Sequence, residues 1–172
     1  MTNQKQPGSA PSIEERLARL EDVEAIGNLK IRYASLCDQS YDPDGIASLF
    51  TEDGIWQVDA FGVKNEGREA IRAYMKNASK RIPWALHYVM APVIEVAPDR
   101  QSAVGTWYLL VLCSMSQPDD PEALDPVIMS GTYRDTFVKG TDGEWKFAHL
   151  RGYIHQVSSL DQGWVKQRFR GR

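Results

Sequence analysis

Asp38 and His87 are the two side chains of this sequence best placed to exchange a proton with a bound molecule. Asp38 closes the run Tyr33-Ala34-Ser35-Leu36-Cys37-Asp38. Ahead of it, Ile26, Leu29, Tyr33, Leu36 and Cys37 recur at helical spacing and mark the apolar stripe of an amphipathic helix. Asp38 falls four residues after Ala34 and seven after Ile31, on a shoulder of that stripe and not on a charged face. A carboxylate held there must find a partner or shift its pKa. His87, one of three histidines, lies in a largely apolar run that reads as a strand. Its alternate neighbours Ala85, Val89, Ala91 and Val93 are small, which suits a face lining a pocket. A helix acid facing a strand histidine is a proton-transfer apparatus, in which the imidazole acts as base and the carboxylate orients it.

Other residues read as the walls of such a site. Trp56, Trp107, Leu109, Met129 and Tyr133 offer large apolar surfaces, as a hydrophobic ring-bearing substrate requires. Trp107 and Leu109 share one strand face, and Met129 and Tyr133 share another. Tyr33 stands about 140° around an ideal helix from Asp38, so the two meet in one pocket only if the helix end distorts or the pocket wraps round it. The histidines His87, His149 and His155 lack helix ligand spacing and a suitably placed carboxylate, so no metal site is expected.

Composition bounds the rest. A chain of 172 residues, 42% hydrophobic and 25% charged, is one globular domain that can bury a core without disulfides or metal. The net charge of −3 argues against nucleic acid as partner. The basic cluster Lys166 to Arg172 reads as a solubilising or oligomer-contacting tail. Cys37 and Cys113 sit in apolar stretches and read as buried thiols, which fits a reducing compartment. Neither a signal-peptide apolar core nor a membrane-length apolar run is present, so a cytoplasmic location is expected.

The elements that position these residues follow from local signals. Residues 1–11 are polar and read as a disordered tail. Ser12 and Glu15 form a capping-box pattern, and Asp22 can cap a second segment to Asp38, giving one bent helix or two. A turn at Asp42-Pro43-Asp44-Gly45 leads to a helical turn ending at Phe50, then a strand from Gly54 to Asp59 and a helix from Glu66 to Lys80. Long strands are expected over Trp84 to Val96, Ser102 to Met115, Val127 to Val138 and Trp145 to Val157. The segment Gln117 to Pro126, with three prolines and four acids, reads as a mobile loop. Helices first and antiparallel strands after them make an α+β domain over residues 12–158, whose sheet curls around the helices and leaves a cavity.

That order resembles the SnoaL-like branch of the NTF2-like superfamily. The phrases that carry the resemblance are Leu20-Glu21-Asp22-Val23-Glu24-Ala25-Ile26, Leu49-Phe50-Thr51-Glu52-Asp53-Gly54, Gly67-Arg68-Glu69-Ala70-Ile71, Gly131-Thr132-Tyr133-Arg134-Asp135 and Gly143-Glu144-Trp145-Lys146-Phe147. Within the branch the chain is most similar to the group of scytalone dehydratase, hexachlorocyclohexane dehydrochlorinase and bile-acid 7α-dehydratase. The resemblance implies a cone-shaped barrel, no cofactor, and catalytic roles for Asp38, His87, Tyr33 and Arg151. His149 shares the parity of Arg151 and is its substitute; a one-residue change of register would bring Leu150 in instead. It also implies a homotrimer, with a homodimer as the alternative. The implied activity is a cofactor-independent lyase that removes water or a similar group from a hydrophobic cyclic or aromatic molecule. The same residues would serve a ketosteroid isomerase-like or polyketide cyclase-like enzyme, and a non-catalytic binding module is the reading from another class.

Overall fold

Ser12 starts the first helix as expected: its hydroxyl accepts from the Glu15 backbone while the Glu15 carboxylate accepts from the Ser12 backbone. In the computed structural model, which describes residues 10–170, that helix is continuous from Ile13 to Asp38 (α1). Asp22 does not cap a second helix. It is buried and takes hydrogen bonds from Arg100, Lys139 and Trp145. Burial works against its charge, but these donors hold its carboxyl down at about 2.

Further along the chain lie α2 (Pro43–Ser48), β1 (Phe50–Val58), β2 (Val63–Glu66) and α3 (Arg68–Arg81). The long strands are β3 (Trp84–Val96), β4 (Ser102–Ser116), β5 (Leu124–Lys139) and β6 (Trp145–Ser159), and α4 (Gly163–Lys166) ends the set. The sheet has six strands in the order β2-β1-β6-β5-β4-β3. Neighbours pair antiparallel except β1 with β6, which run parallel. The expected α+β class holds, with two differences. The short strand β2 and the parallel pairing are additions. The sheet is also not a closed barrel, since β2 and β3 are its free edges and the helices complete the wall.

The inward face follows the two-residue period of the strands. Ala103, Trp107, Leu109, Val111 and Cys113 of β4 are buried, as are Val127, Met129, Tyr133 and Phe137 of β5. On the other face Leu86, Tyr88 and Met90 of β3 and Tyr108 and Leu112 of β4 are exposed. Strand pairing sets Leu86 beside Leu112 and Met90 beside Tyr108, so this is one continuous apolar surface.

The expected ends of the domain are described only in part. Residues 1–9 of the N-terminal tail, and Gly171 and Arg172, lie outside the described residues. Within the expected basic tail, Phe169 bridges to Val157, and Arg170 donates to Asp125 and to the Ser116 carbonyl at 3.0 Å. That contact ties the acidic, proline-bearing loop to the chain terminus. The loop is further closed by Gln117, whose backbone donates to the Ala123 carbonyl at 2.8 Å.

Candidate active site

The buried residues of α1 are Asp22, Ile26, Lys30, Tyr33, Ala34 and Cys37, one helix face at steps of three and four. Asp38 is the last residue of that helix, where the chain turns away. On β3, Ala85 points inward while Leu86 and Tyr88 are exposed, so His87 faces the helix. The two side chains meet. His87 Nδ1 lies 2.7 Å from Asp38 Oδ1, and the His87 backbone N–H donates to the same oxygen at 2.9 Å. A carboxylate only accepts, so Nδ1 carries the proton and Nε2 keeps its lone pair. Burial pushes the imidazole pKa below its ordinary value, although the hydrogen bond and charge of Asp38 pull the other way.

Beside the dyad is an apolar cavity of about 80 Å³. His87, Tyr33, Trp56, Leu109, Met129 and Tyr133 all line it, so most of the expected wall comes together. The Tyr33 hydroxyl oxygen accepts from Trp56 Nε1 at 2.8 Å. Asp38 does not itself line the cavity and reaches it through His87, and the chain turns just after α1. There Ser40 and Tyr41 take left-handed φ values of 61° and 55°. An engineered cavity needs roughly 150 Å³ to hold benzene. Phe61, which is 47% exposed, also lines this cavity.

Three expected residues lie elsewhere. Trp107 has the inward parity of Leu109, but its indole lies against Phe137 and over the space left by Gly105. A Cβ on Gly105 would stand 2.0 Å from that ring, so the missing side chain is what seats the tryptophan away from the cavity. Arg151 and His149 occupy the outward face of β6. There Arg151 pairs with Asp59 at 2.7 Å, and His149 Nε2 lies 3.1 Å from Gln57 Oε1. The register Trp56↔Leu150 and Val58↔Gly152 turns Leu150 inward and both polar residues out. Neither Arg151 nor His149 contributes to the cavity.

The sequence reading missed Tyr41, Tyr74, Ile82 and Arg81, which also line the cavity. It also missed a fully buried ion pair, Lys30 Nζ to Asp135 Oδ2 at 2.8 Å. Lys30 Nζ sits 3.2 Å from the centre of the Tyr133 ring, and Asp135 also accepts from the Arg151 backbone at 3.0 Å. Burial drives Lys30 down and Asp135 up, each toward its neutral form, while their mutual attraction opposes this. A signal was available: Lys30 lies on the Ile26–Tyr33 stripe, and Asp135 has the parity of Tyr133 and Phe137. Among the described residues, no group of His, Cys, Asp and Glu is arranged to hold a metal ion.

Comparison with known proteins adds the following. A family model described as a SnoaL-like domain matches residues 18–151. No curated protein matches the sequence at a significant level. Among solved structures, a provisionally named scytalone dehydratase from Novosphingobium aromaticivorans superimposes with a TM-score of 0.71 at 20% identity, covering 94% of this chain and 99% of that one. A type 2 hexachlorocyclohexane dehydrochlorinase (LinA) gives a TM-score of 0.72 at 21% identity, over 87% of this chain and 93% of its own. A Mycobacterium tuberculosis protein of unknown function, Rv3472, gives 0.66 at 23% identity, over 86% and 87%. At these identities the likeness is one of fold.

Proposed function

Because this chain belongs to the SnoaL-like family, we propose that it is a cofactor-independent lyase of hydrophobic cyclic or aromatic small molecules. The observation that carries the reading is the 2.7 Å contact of His87 Nδ1 with Asp38 at the wall of an apolar cavity. That bond leaves Nε2 as the basic atom of the ring. His87 removes a proton from the carbon next to the one bearing the leaving group. The C–H electrons become the new double bond, and the leaving group departs with the electrons of its own bond. The imidazolium then returns the proton to a departing hydroxide, forming water, or to solvent when the leaving group is a halide. Asp38 holds the tautomer and balances the imidazolium charge. The surrounding apolar wall strengthens that interaction, since little water screens it.

The test is a panel of hydroxylated and halogenated ring compounds incubated with the purified protein and read by mass spectrometry. Products lighter by one water or one hydrogen halide are expected. Products of unchanged mass would replace the lyase with the isomerase reading. No product from any compound, together with binding, would favour a non-catalytic module.

We also assign the outer face of β3 and β4 to self-association, as a homotrimer. Exposed Leu86, Tyr88, Met90, Tyr108 and Leu112 form one apolar surface, of a kind monomers seldom leave uncovered. Light scattering at micromolar concentration is expected to give three times the chain mass, and Tyr108→Glu with Leu112→Glu to lower it. A monomeric wild type would remove the assignment, and a dimer would correct the copy number.

A further inference from the structure

Tyr41 is buried, 8% exposed, and its ring stands edge-on to His87 with centroids 5.9 Å apart. It lines the same cavity as His87, Tyr74, Cys113 and Tyr133. Its hydroxyl makes no hydrogen bond to any other described residue, and burial among these groups keeps it protonated, with a pKa well above that of free tyrosine. A phenol of this kind has its proton free for an acceptor that enters the cavity, whether water or a ligand.

The backbone that brings it there is strained as well. Ser40 and Tyr41 are consecutive left-handed residues, and neither is glycine. An L side chain is disfavoured in that region, because its Cβ crowds the backbone carbonyl. Both flanks of the turn hold it in place. The Tyr41 backbone donates to the Cys37 carbonyl at 3.0 Å and that of Asp42 to the Leu36 carbonyl at 3.1 Å, while the Asp42 side chain caps α2 through Gly45. Strain of this type persists where the surrounding structure over-determines it, often at functional sites. Tyr33 is also buried and lines the cavity, but it differs in two respects. It lies within a regular helix, and its oxygen already accepts from Trp56.

We propose that Tyr41, and not Tyr33, donates the hydrogen bond that meets the departing oxygen of the substrate. The inference rests on the elimination chemistry proposed above and names the residue that stabilises its developing negative charge. The phenol donates a hydrogen bond and keeps its proton; His87 carries the proton that is transferred. The substrate therefore has an oxygen that reaches Tyr41 while the adjacent C–H reaches His87 Nε2.

A test that needs no known substrate uses cyclohexanone, a small ring carrying one carbonyl acceptor, as an infrared probe. With wild-type protein, the bound carbonyl band is expected at lower wavenumber than in an apolar solvent. Tyr41→Phe keeps the ring packed on His87 and removes the oxygen alone, so the shift should disappear. Tyr33→Phe and His87→Ala should retain it. An unshifted wild-type band would overturn the proposal. So would a shift that survives in Tyr41→Phe, or one lost in Tyr33→Phe or His87→Ala. Turnover separates this from the lyase reading. On any compound that the panel shows to react, Tyr41→Phe should lower kcat by about 10²–10³-fold and Tyr33→Phe by less than about tenfold. A shift that depends on Tyr41 in a protein without eliminase activity would retain the donor and discard the reaction.

Discussion

His87→Ala is expected to reduce turnover by about 10⁴-fold or more while leaving substrate affinity nearly unchanged, because the lost interaction is made in the transition state. Asp38→Asn should cost about 10³–10⁴-fold, since an amide can hold the ring in the wrong tautomer and cannot balance its positive charge. Residues that act as a unit are not additive, so the double variant should be little worse than the poorer single one. The measurement is kcat and kcat/KM on a compound that the mass-spectrometric panel shows to react. Wild-type turnover in His87→Ala would make the pair structural.

The pH profile carries a sign of its own. A base must be neutral, so kcat/KM should rise with pH through the His87 pKa and then level off. Burial places that pKa below the usual imidazole value, so the acidic limb should lie below about 6.5. Asp38→Asn removes the group that raises it and should move the limb further toward acid. Stability follows the same linkage. The unfolded chain takes up the proton first, so this contribution is full above about 6.5 and is lost as pH falls toward the folded-state pKa.

The second large effect concerns Lys30 and Asp135. Lys30→Met should destabilise the protein by about 3–5 kcal/mol, because it leaves Asp135 as a fully buried carboxylate without its partner. Lys30→Met combined with Asp135→Asn should recover most of that loss. The double variant buries no charge and keeps an oxygen for the Arg151 backbone N–H. Urea unfolding of the two variants at neutral pH decides the matter. A single variant no less stable than the double would show that the pair is not held in its ionic form.

Much of this architecture is legible in the sequence because long strands and a continuous helical stripe leave strong periodic marks. Asp38 and His87 stand out because each breaks the apolar character of its surroundings. Strand parity alone could not orient Arg151, because β6 mixes apolar and polar residues on both faces. Irregular pairing between β5 and β6 near Thr136 and Phe137 further weakens any counting. Trp107 shows a different limit. Parity turns it inward correctly, but where a long side chain leans depends on the room made by Gly105. Asp22 has the residue type and position of a helix cap, yet its partners Arg100, Lys139 and Trp145 are distant in sequence. Tyr41 belongs to a turn whose left-handed residues are not glycine, and so carries no local signal of its conformation.

The distribution of tryptophans gives the molecule its own optical reporter. Of the five in the chain, Trp56 lines the cavity, with its indole N–H on Tyr33 and its ring tilted against Tyr74 at 4.7 Å. Trp107 and Trp145 are buried elsewhere, whereas Trp84 and Trp164 are more than half exposed. Trp84 opens β3 beside the outer apolar face. In a protein reduced to Trp56, emission would change as a molecule fills the cavity, so ligands could be found by light alone before any reaction is known.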